Sequence, residues 1–386
     1  VFVRPVLSLH RVLPEEAINL KHSPLAAAIG LLAAGAVVLS GCSVERTTLA
    51  YASEATVECG GEKILTGSGS SAQANAVKRF DEAYENACPG RTVEYTPNGS
   101  GAGISDFLAG KSDFAGSDSP LAADQYAAAK QRCGGADAWN LPVVFGPLAV
   151  TYNLHDVDFL VLDAPTLANI FNGTIKRWDD PAISALNASM PSEDIHVVYR
   201  SDASGTTDNF QHYLAAASGG TWSKGAGKAF NGSVGTGARG NQGTAAMVKN
   251  TEGAITYNEL SFALDEGLYA AEIKTAASRK SLRPVRIDTD TVGKTITGAK
   301  IVGKDNDLVL DISSFYNPTQ GDVYPIVMAT YEVVCSKYPT PDIAQAVKGF
   351  LMATLGPGQN GLDKHGYIPL PPGFRSRVAG AVDAIA

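Results

Sequence analysis

From about residue 57 to the C-terminus, short apolar runs alternate with stretches whose apolar positions recur every three to four residues. Continuous or alternating apolar runs predict strands, and the 3.6-residue period predicts helices. The stretch "KILTGSGSSAQANAVKRFDEAYENA" passes from an apolar run through a Gly/Ser turn into a helix with Ala76, Val77, Phe80 and Tyr84 on one face. The same plan recurs in "RTVEYTPNGSGAGISDFLAG", in "KSDFAGSDSPLAADQYAAAKQRC" and, far downstream, in "IHVVYRSDASGTTDNFQHYLAAA". Between the last two, "TLANIFNGTIKRWDDPAISALN" reads as a helix followed by a Trp-bearing loop. Two longer apolar runs, "LPVVFGPLAVTYNL" and "YPIVMATYEVVC", interrupt the alternation and read as strands that cross between two lobes.

Strands alternating with helices predict an α/β fold with mainly parallel sheets. In such folds ligands sit beyond the carboxyl ends of the strands, so the four strand-to-helix turns are candidates for one shared site. A chain of 386 residues exceeds what one hydrophobic core usually organises, which also favours two lobes.

The beginning of the chain follows another pattern. Arg4, Arg11, Lys21 and His22 precede an uncharged Ala/Gly-rich stretch, residues 24–39, which runs into "LSGC". A basic segment, an apolar segment and a small-residue processing site make residues 1–41 a signal peptide. The apolar stretch is short for a membrane span, which disfavours a retained anchor. "LSGC" resembles the bacterial lipobox, in which the cysteine is lipid-modified and becomes the mature N-terminus, here Cys42. Residues 42–56 are polar and without apolar period, and read as a tether.

Hydrophobic residues at 45% and charged residues at 18% exclude a disordered polyelectrolyte. A formal net charge of −8 argues against nucleic acid, which is bound through a basic face. It also means that an anion ligand would be held by local dipoles rather than by the field of the whole molecule. Of five cysteines, Cys42 is assigned to the lipid; Cys59, Cys88, Cys133 and Cys335 remain. Four cysteines in an exported chain allow three pairings, of which Cys59–Cys88 with Cys133–Cys335 is favoured because Cys59–Cys88 ties the first strand region to the end of the first helix.

Several chemical motifs fail on context. "GSGSSA", with Gly67, Gly69 and Ala72, formally matches a dinucleotide fingerprint, but the carboxylates downstream belong to the helix itself. No GxxxxGK[ST] is present. "DTDTV" from Asp288 matches the start of an aspartyl phosphotransferase motif without the helix-starting turn that should follow, and reads as a polar loop or strand end. His155, His196, His212 and His365 are scattered singly, which points away from a metal site. Ser204 has no GxSxG frame, although His212 lies eight residues on, so a serine hydrolase is disfavoured.

What remains is the chemistry of the turns. "YRSDASGTTDNF", residues 199–210, taken alone, is a capped helix start with an Arg–Asp pair, and Ser204, Thr206 and Thr207 are the candidate caps. Free N–H groups at a helix start also bind anions, and glycine and hydroxyl side chains let a small oxyanion approach them. Only one of the four turns carries a cation, Arg200, while two carry aspartates.

"LTGSGSSAQ", "NGSGAGISDFLAGKSDFAGSDSPL", "RSDASGTTDNF", "IFNGTIKRWDDPAI", "GAITYNELSFA" and "YPIVMATY" together resemble the phosphate-binding proteins of bacterial phosphate-specific ABC transporters, and most of all their lipoprotein type. The likeness runs in family order over nearly the whole chain after Cys42. It implies a periplasmic-binding-protein-like fold of type II, with two α/β lobes joined by two crossover strands and inorganic phosphate in the cleft. It also implies hinge closure, delivery to ABC permease subunits, action as a lipid-anchored monomer on the extracytoplasmic face, and no cofactor. Carried over residue by residue, Ser71 and the Ala72 N–H would meet the phosphate where many relatives have Thr-Phe. Ser100, Asp118, Arg200, Ser204, Gly205 and Thr206 would join them, with Asp202 holding Arg200. Lobe one would comprise residues 57–148 and 323–386, and lobe two residues 149–322. Two other readings stay open on the same fold: an exported phosphatase or other hydrolase, and a surface interaction protein that holds phosphate structurally.

Overall fold

A computed structural model describes residues 56–278 and 283–386. The expected signal peptide, Cys42 and nearly all of the expected tether lie outside the described residues. Thirteen strands are described: β1 (Ile64–Gly69), β2 (Thr92–Thr96), β3 (Phe114–Ser117), β4 (Ala138–Tyr152), β5 (Val161–Asp163), β6 (His196–Arg200), β7 (Thr236–Ala238), β8 (Ala254–Glu259), β9 (Tyr269–Ala270), β10 (Glu272–Lys274), β11 (Lys300–Ile301), β12 (Leu310–Asp311) and β13 (Val327–Cys335). Nine belong to one sheet, ordered β2-β1-β3-β13-β4-β8-β6-β7, with β9 also on β4.

The sheet has two halves. β1 pairs in parallel with β2 and β3, and β6 pairs in parallel with β7 and β8. The strands between run antiparallel, β13 against β3 and β4, and β4 against β8. The parallel order predicted from the alternation therefore holds inside each half, whereas the crossing strands make the sheet as a whole mixed. Both crossing strands are buried almost throughout, which is why they read as continuous apolar runs rather than as alternating ones.

Two prolines mark irregularities in β4, a register shift and the change of partner. Proline lacks the N–H that a ladder needs and is confined to irregular or terminal positions in a sheet. Pro142 sits at the register shift opposite Thr330 and Tyr331. Pro147 is the last residue of β4 to pair with β13, and from Leu148 the strand pairs with β8.

Eight helices are needed here: α1 (Ala74–Ala87), α2 (Ser100–Leu108), α3 (Tyr126–Arg132), α4 (Ala164–Phe171), α5 (Pro181–Ser184), α6 (Gly205–Ala217), α7 (Gly240–Lys249) and α8 (Leu260–Glu266). α1 buries Ala76, Val77, Phe80 and Tyr84, as their spacing predicts. α4 is N-capped by Asp163, and the loop after it buries Trp178 completely, its indole N–H donating to the Gly253 carbonyl.

Two expectations are corrected. The third turn does not open a helix: β3 ends at Ser117 and α3 starts only at Tyr126. Ser119 precedes Pro120, and a residue before proline is held out of the helical region, so the chain leaves β3 as a loop. Asp288 lies in neither a loop nor a strand end; its side chain caps helix Thr289–Ile296, and Thr291 closes a reciprocal capping box with it. Both disulfides form in the favoured pairing, Cys59–Cys88 and Cys133–Cys335. No helix of the described residues is long and apolar enough to cross a membrane.

Candidate functional site

The residues singled out in the sequence lie just past the carboxyl ends of β1, β2, β3 and β6, and they are brought together. Ser71, Ala72, Ser100, Asp118, Arg200, Ser204, Gly205 and Thr206 are all buried. The contacts between them cross from one half of the sheet to the other.

Ser100 opens α2, and its Oγ accepts from the Asp118 N–H and from the Gly205 N–H, both at 3.2 Å. Gly205 is the first residue of α6. A Cβ there would lie 2.7 Å from both the Asp118 Cβ and the Ser100 Oγ, so only glycine lets the two halves approach this closely. The Gly101 N–H donates to the Ala203 carbonyl, and the Asn209 Nδ2 donates to the Asp118 carbonyl. Ser204 caps α6 by accepting the Thr207 N–H at 3.1 Å, which settles the choice among the three candidate caps.

Arg200 is the last residue of β6, and its side chain is 1% exposed. Asp202 grips it with both oxygens, Nε to Oδ1 at 2.8 Å and Nη2 to Oδ2 at 2.5 Å. Burial pushes the Asp202 carboxyl up, but the hydrogen bonds and charge of Arg200, with the Gly240 N–H, outweigh it and hold the carboxyl below its ordinary range. The grip covers one edge of the guanidinium. Its Nη1 faces the Thr206 Oγ1 at 3.3 Å.

Asp118 is the carboxylate of the site. Its Oδ1 accepts from the Ser70 Oγ at 2.5 Å and from the Thr330 Oγ1 at 3.3 Å, and its Oδ2 accepts from the Thr206 Oγ1 at 3.3 Å. Burial raises its pKa, while Ser70, the Arg200 charge, Thr330 and Thr206 pull the other way. These donors and the neighbouring cation are what a buried carboxylate needs in order to stay an anion.

Sequence reasoning missed four participants. Ser70 stood inside a quoted motif, one residue from the one chosen, and its hydroxyl reaches both Asp118 and the Ala72 N–H. Thr330 is the one threonine inside the apolar run of β13. Asn209 lies one turn into α6. Asn241, second residue of α7, has its N–H 3.0 Å and its Nδ2 3.1 Å from the Ser71 Oγ, and its Nδ2 is also 3.2 Å from the Thr206 Oγ1. The signal for Asn241 was present: "TGARGNQGTAAMV" is a further glycine-rich strand-to-helix turn, built like the first, second and fourth. Among the described residues, no group of three or more His, Cys, Asp or Glu side chains is arranged to hold a metal ion.

The arrangement suits a small oxyanion. Hydroxyls, helix-start N–H groups and a buried guanidinium converge, with one carboxylate set among them.

Comparison with known proteins agrees. Residues 46–353 match the family model of the PBP superfamily domain. Phosphate-binding protein PstS 3 of Mycobacterium tuberculosis is 58% identical over 375 residues, covering 95% of this chain and all of that protein. Phosphate-binding protein PstS of Methanocaldococcus jannaschii is 32% identical over 330 residues, 80% of this chain and 82% of that protein. Among solved structures, the high-affinity periplasmic phosphate-binding protein PfluDING, bound with phosphate, superposes with a TM-score of 0.65 at 21% identity, over 83% of this chain and 93% of that one. At that identity the likeness speaks for the fold alone. On the family model and the relatives' sequences, the chain belongs to the PBP superfamily and, within it, to the PstS phosphate-binding proteins.

Proposed function

We propose that this protein captures inorganic phosphate outside the cytoplasm and delivers it to a membrane ABC importer. The observation that carries the reading is Asp118, a buried carboxylate placed among donors and beside the buried Arg200. Phosphate near neutral pH still carries a proton, which a carboxylate accepts as a hydrogen bond. Sulfate carries none and would set two acceptors against each other, so the same group admits one anion and rejects the other. Ser71, the Ala72 N–H, Ser100, Arg200, Ser204, Gly205 and Thr206 would be the donors to the remaining phosphate oxygens, and Asp202 holds the arginine. The names of the relatives, all phosphate-binding proteins, support this assignment.

The protein works without catalysis in this reading. The Ser204 hydroxyl is engaged with the Thr207 N–H, and His212 pairs with Asp208 at 3.4 Å, so neither activates the other. The lobes divide at about residues 148/149 and 322/323, a division supported by the change of partner of β4 at Pro147 and Leu148. Lipid on Cys42 tethers a monomer to the extracytoplasmic face of the membrane. The Cys42→Ser protein is expected in the soluble fraction; sedimentation with membranes would mean a different anchor.

Calorimetric titration with phosphate and sulfate tests the central assignment. The wild-type protein should bind phosphate and ignore sulfate, and Asp118→Asn should admit sulfate while weakening for phosphate. Sulfate exclusion unchanged in that variant would remove Asp118 from the role given to it.

A further inference from the structure

Building on the phosphate reading, we infer that Asn241 is the residue that fixes the hydrogen-bond polarity of the site and makes it depend on the meeting of the two lobes. The amide of Asn241 has one possible orientation. Its Oδ1 lies 2.9 Å from the backbone N–H of Glu259, which can only donate, so the oxygen belongs there and the Nδ2 points into the site. Both hydrogens of that Nδ2 are then assigned, one to the Ser71 Oγ and one to the Thr206 Oγ1.

A hydroxyl has two acceptor lone pairs and one proton. Ser71 receives the N–H and the Nδ2–H of Asn241, which fills both lone pairs. Thr206 receives the Arg200 Nη1–H and the Asn241 Nδ2–H, which fills both of its own. Each hydroxyl is thereby left with one option, to donate; Thr206 donates to the Asp118 Oδ2 at 3.3 Å, and the Ser71 proton is the one aimed at the ligand. Ser100 reaches the same state through the N–H groups of Asp118 and Gly205. A hydroxyl that is free to turn serves an acceptor or a donor; one whose lone pairs are filled serves only an acceptor, which every unprotonated phosphate oxygen is. Asn241 belongs to the half of the sheet that holds β6, β7 and β8, and Ser71 follows β1 in the other half. Ser71 therefore becomes an obligate donor only where the lobes meet. Asn241 acts through Ser71 and Thr206, as a positioning residue.

Phosphate titrations of wild type, Asn241→Ala, Ser71→Ala and the double variant test this. Removing the Ser71 hydroxyl should weaken phosphate binding roughly tenfold in the wild-type background but less than about threefold in Asn241→Ala, where that hydroxyl is no longer committed to donate. A residue that merely supports the fold would lower the melting temperature and leave the Ser71 penalty the same in both backgrounds, which would overturn the inference. So would Asn241→Ala binding phosphate as tightly as wild type. If Asn241→Ala does not fold, Asn241→Asp keeps the shape and puts an acceptor where the Nδ2 was. Its affinity relative to wild type should be lowest near pH 8 and recover toward pH 5, as the carboxyl gains a proton to donate; a ratio flat with pH would overturn the inference. Wild type that takes no phosphate would overturn the underlying reading and this inference together. Wild type that binds, with variants that behave alike, would overturn this inference alone.

Discussion

Asp118 lies within Coulombic reach of two other buried carboxyls, Glu259 and Glu332, and burial raises all three. They differ in what surrounds them. Asp118 has three hydroxyl donors and a cation nearby. Glu332 has one long contact, 3.5 Å from the Gln73 Nε2, and its Oε1 has no partner among the described residues. A buried acid with so little support resists ionising. Its folded-state pKa lies well above that of the unfolded chain, so the stability it lends is fully present below the unfolded value of about 4.3 and is lost as pH rises toward the folded one. Glu332→Gln removes that dependence. Its melting temperature should gain on wild type by about 2 °C or more between pH 5 and pH 8, as thermal scans across that range would reveal. A constant difference would mean that Glu332 is already ionised in the folded protein at pH 5. Residues of this kind are poorly legible in a sequence. "YEVVC" reads as apolar strand, and nothing local announces that burial raises the pKa of its one acid, or that Thr330 two residues earlier reaches Asp118 from another strand.

At the scale of elements, legibility followed locality. α1, β4 and β13 were visible because each is specified by its own apolar pattern, and the Arg200–Asp202 pair because its members stand two residues apart. The misreadings came from turns. The third Gly/Ser turn looked like the other helix starts until Pro120 is weighed, and Asp288 looked like a loop although Thr291 stands at the capping-box position. Asn241 was passed over because its partners, Ser71 and Thr206, are 170 and 35 residues away. The disulfides join elements in the same non-local way. Cys133, just past α3, is tied to Cys335 at the end of β13 across 202 residues, and Cys59 to Cys88 across 29. Cross-linking the longer loop constrains the unfolded chain more, by about 5 kcal/mol against about 3.5 kcal/mol in the chain-entropy account. Access runs the other way, since Cys59 is exposed while Cys133 and Cys335 are buried. A mild reductant acting on the native protein should therefore first free two thiols, from Cys59 and Cys88, at the smaller of the two losses of stability. The other pair should need denaturant, and its release should lower the melting temperature much further. Alkylation followed by peptide mass spectrometry reads the order directly, and early labelling of Cys133 would contradict it.

For the molecule as a whole, the proposed capture of a small anion would have two lobes joined by two strands close over it, a hinge motion whose far limit is set by how near the lobes can come. In this reading Gly205 would set that limit. Its backbone meets Ser100 and Asp118 across the halves, and an added methyl would stand 2.7 Å from atoms of both residues. The same methyl is harmless to the lobe that carries it, because Gly205 is the first residue of α6 and alanine is the better helix former. Gly205→Ala is thus a wedge between lobes rather than a lesion within one. Without phosphate it should melt close to the wild-type temperature. With saturating phosphate, small-angle scattering should show wild type contracting and the variant failing to contract fully, and its affinity should fall by more than about tenfold, because donors on one lobe no longer reach oxygens held by the other. Contraction equal to wild type would show that the approach at Gly205 does not limit closure, and the hinge would then have to stop elsewhere.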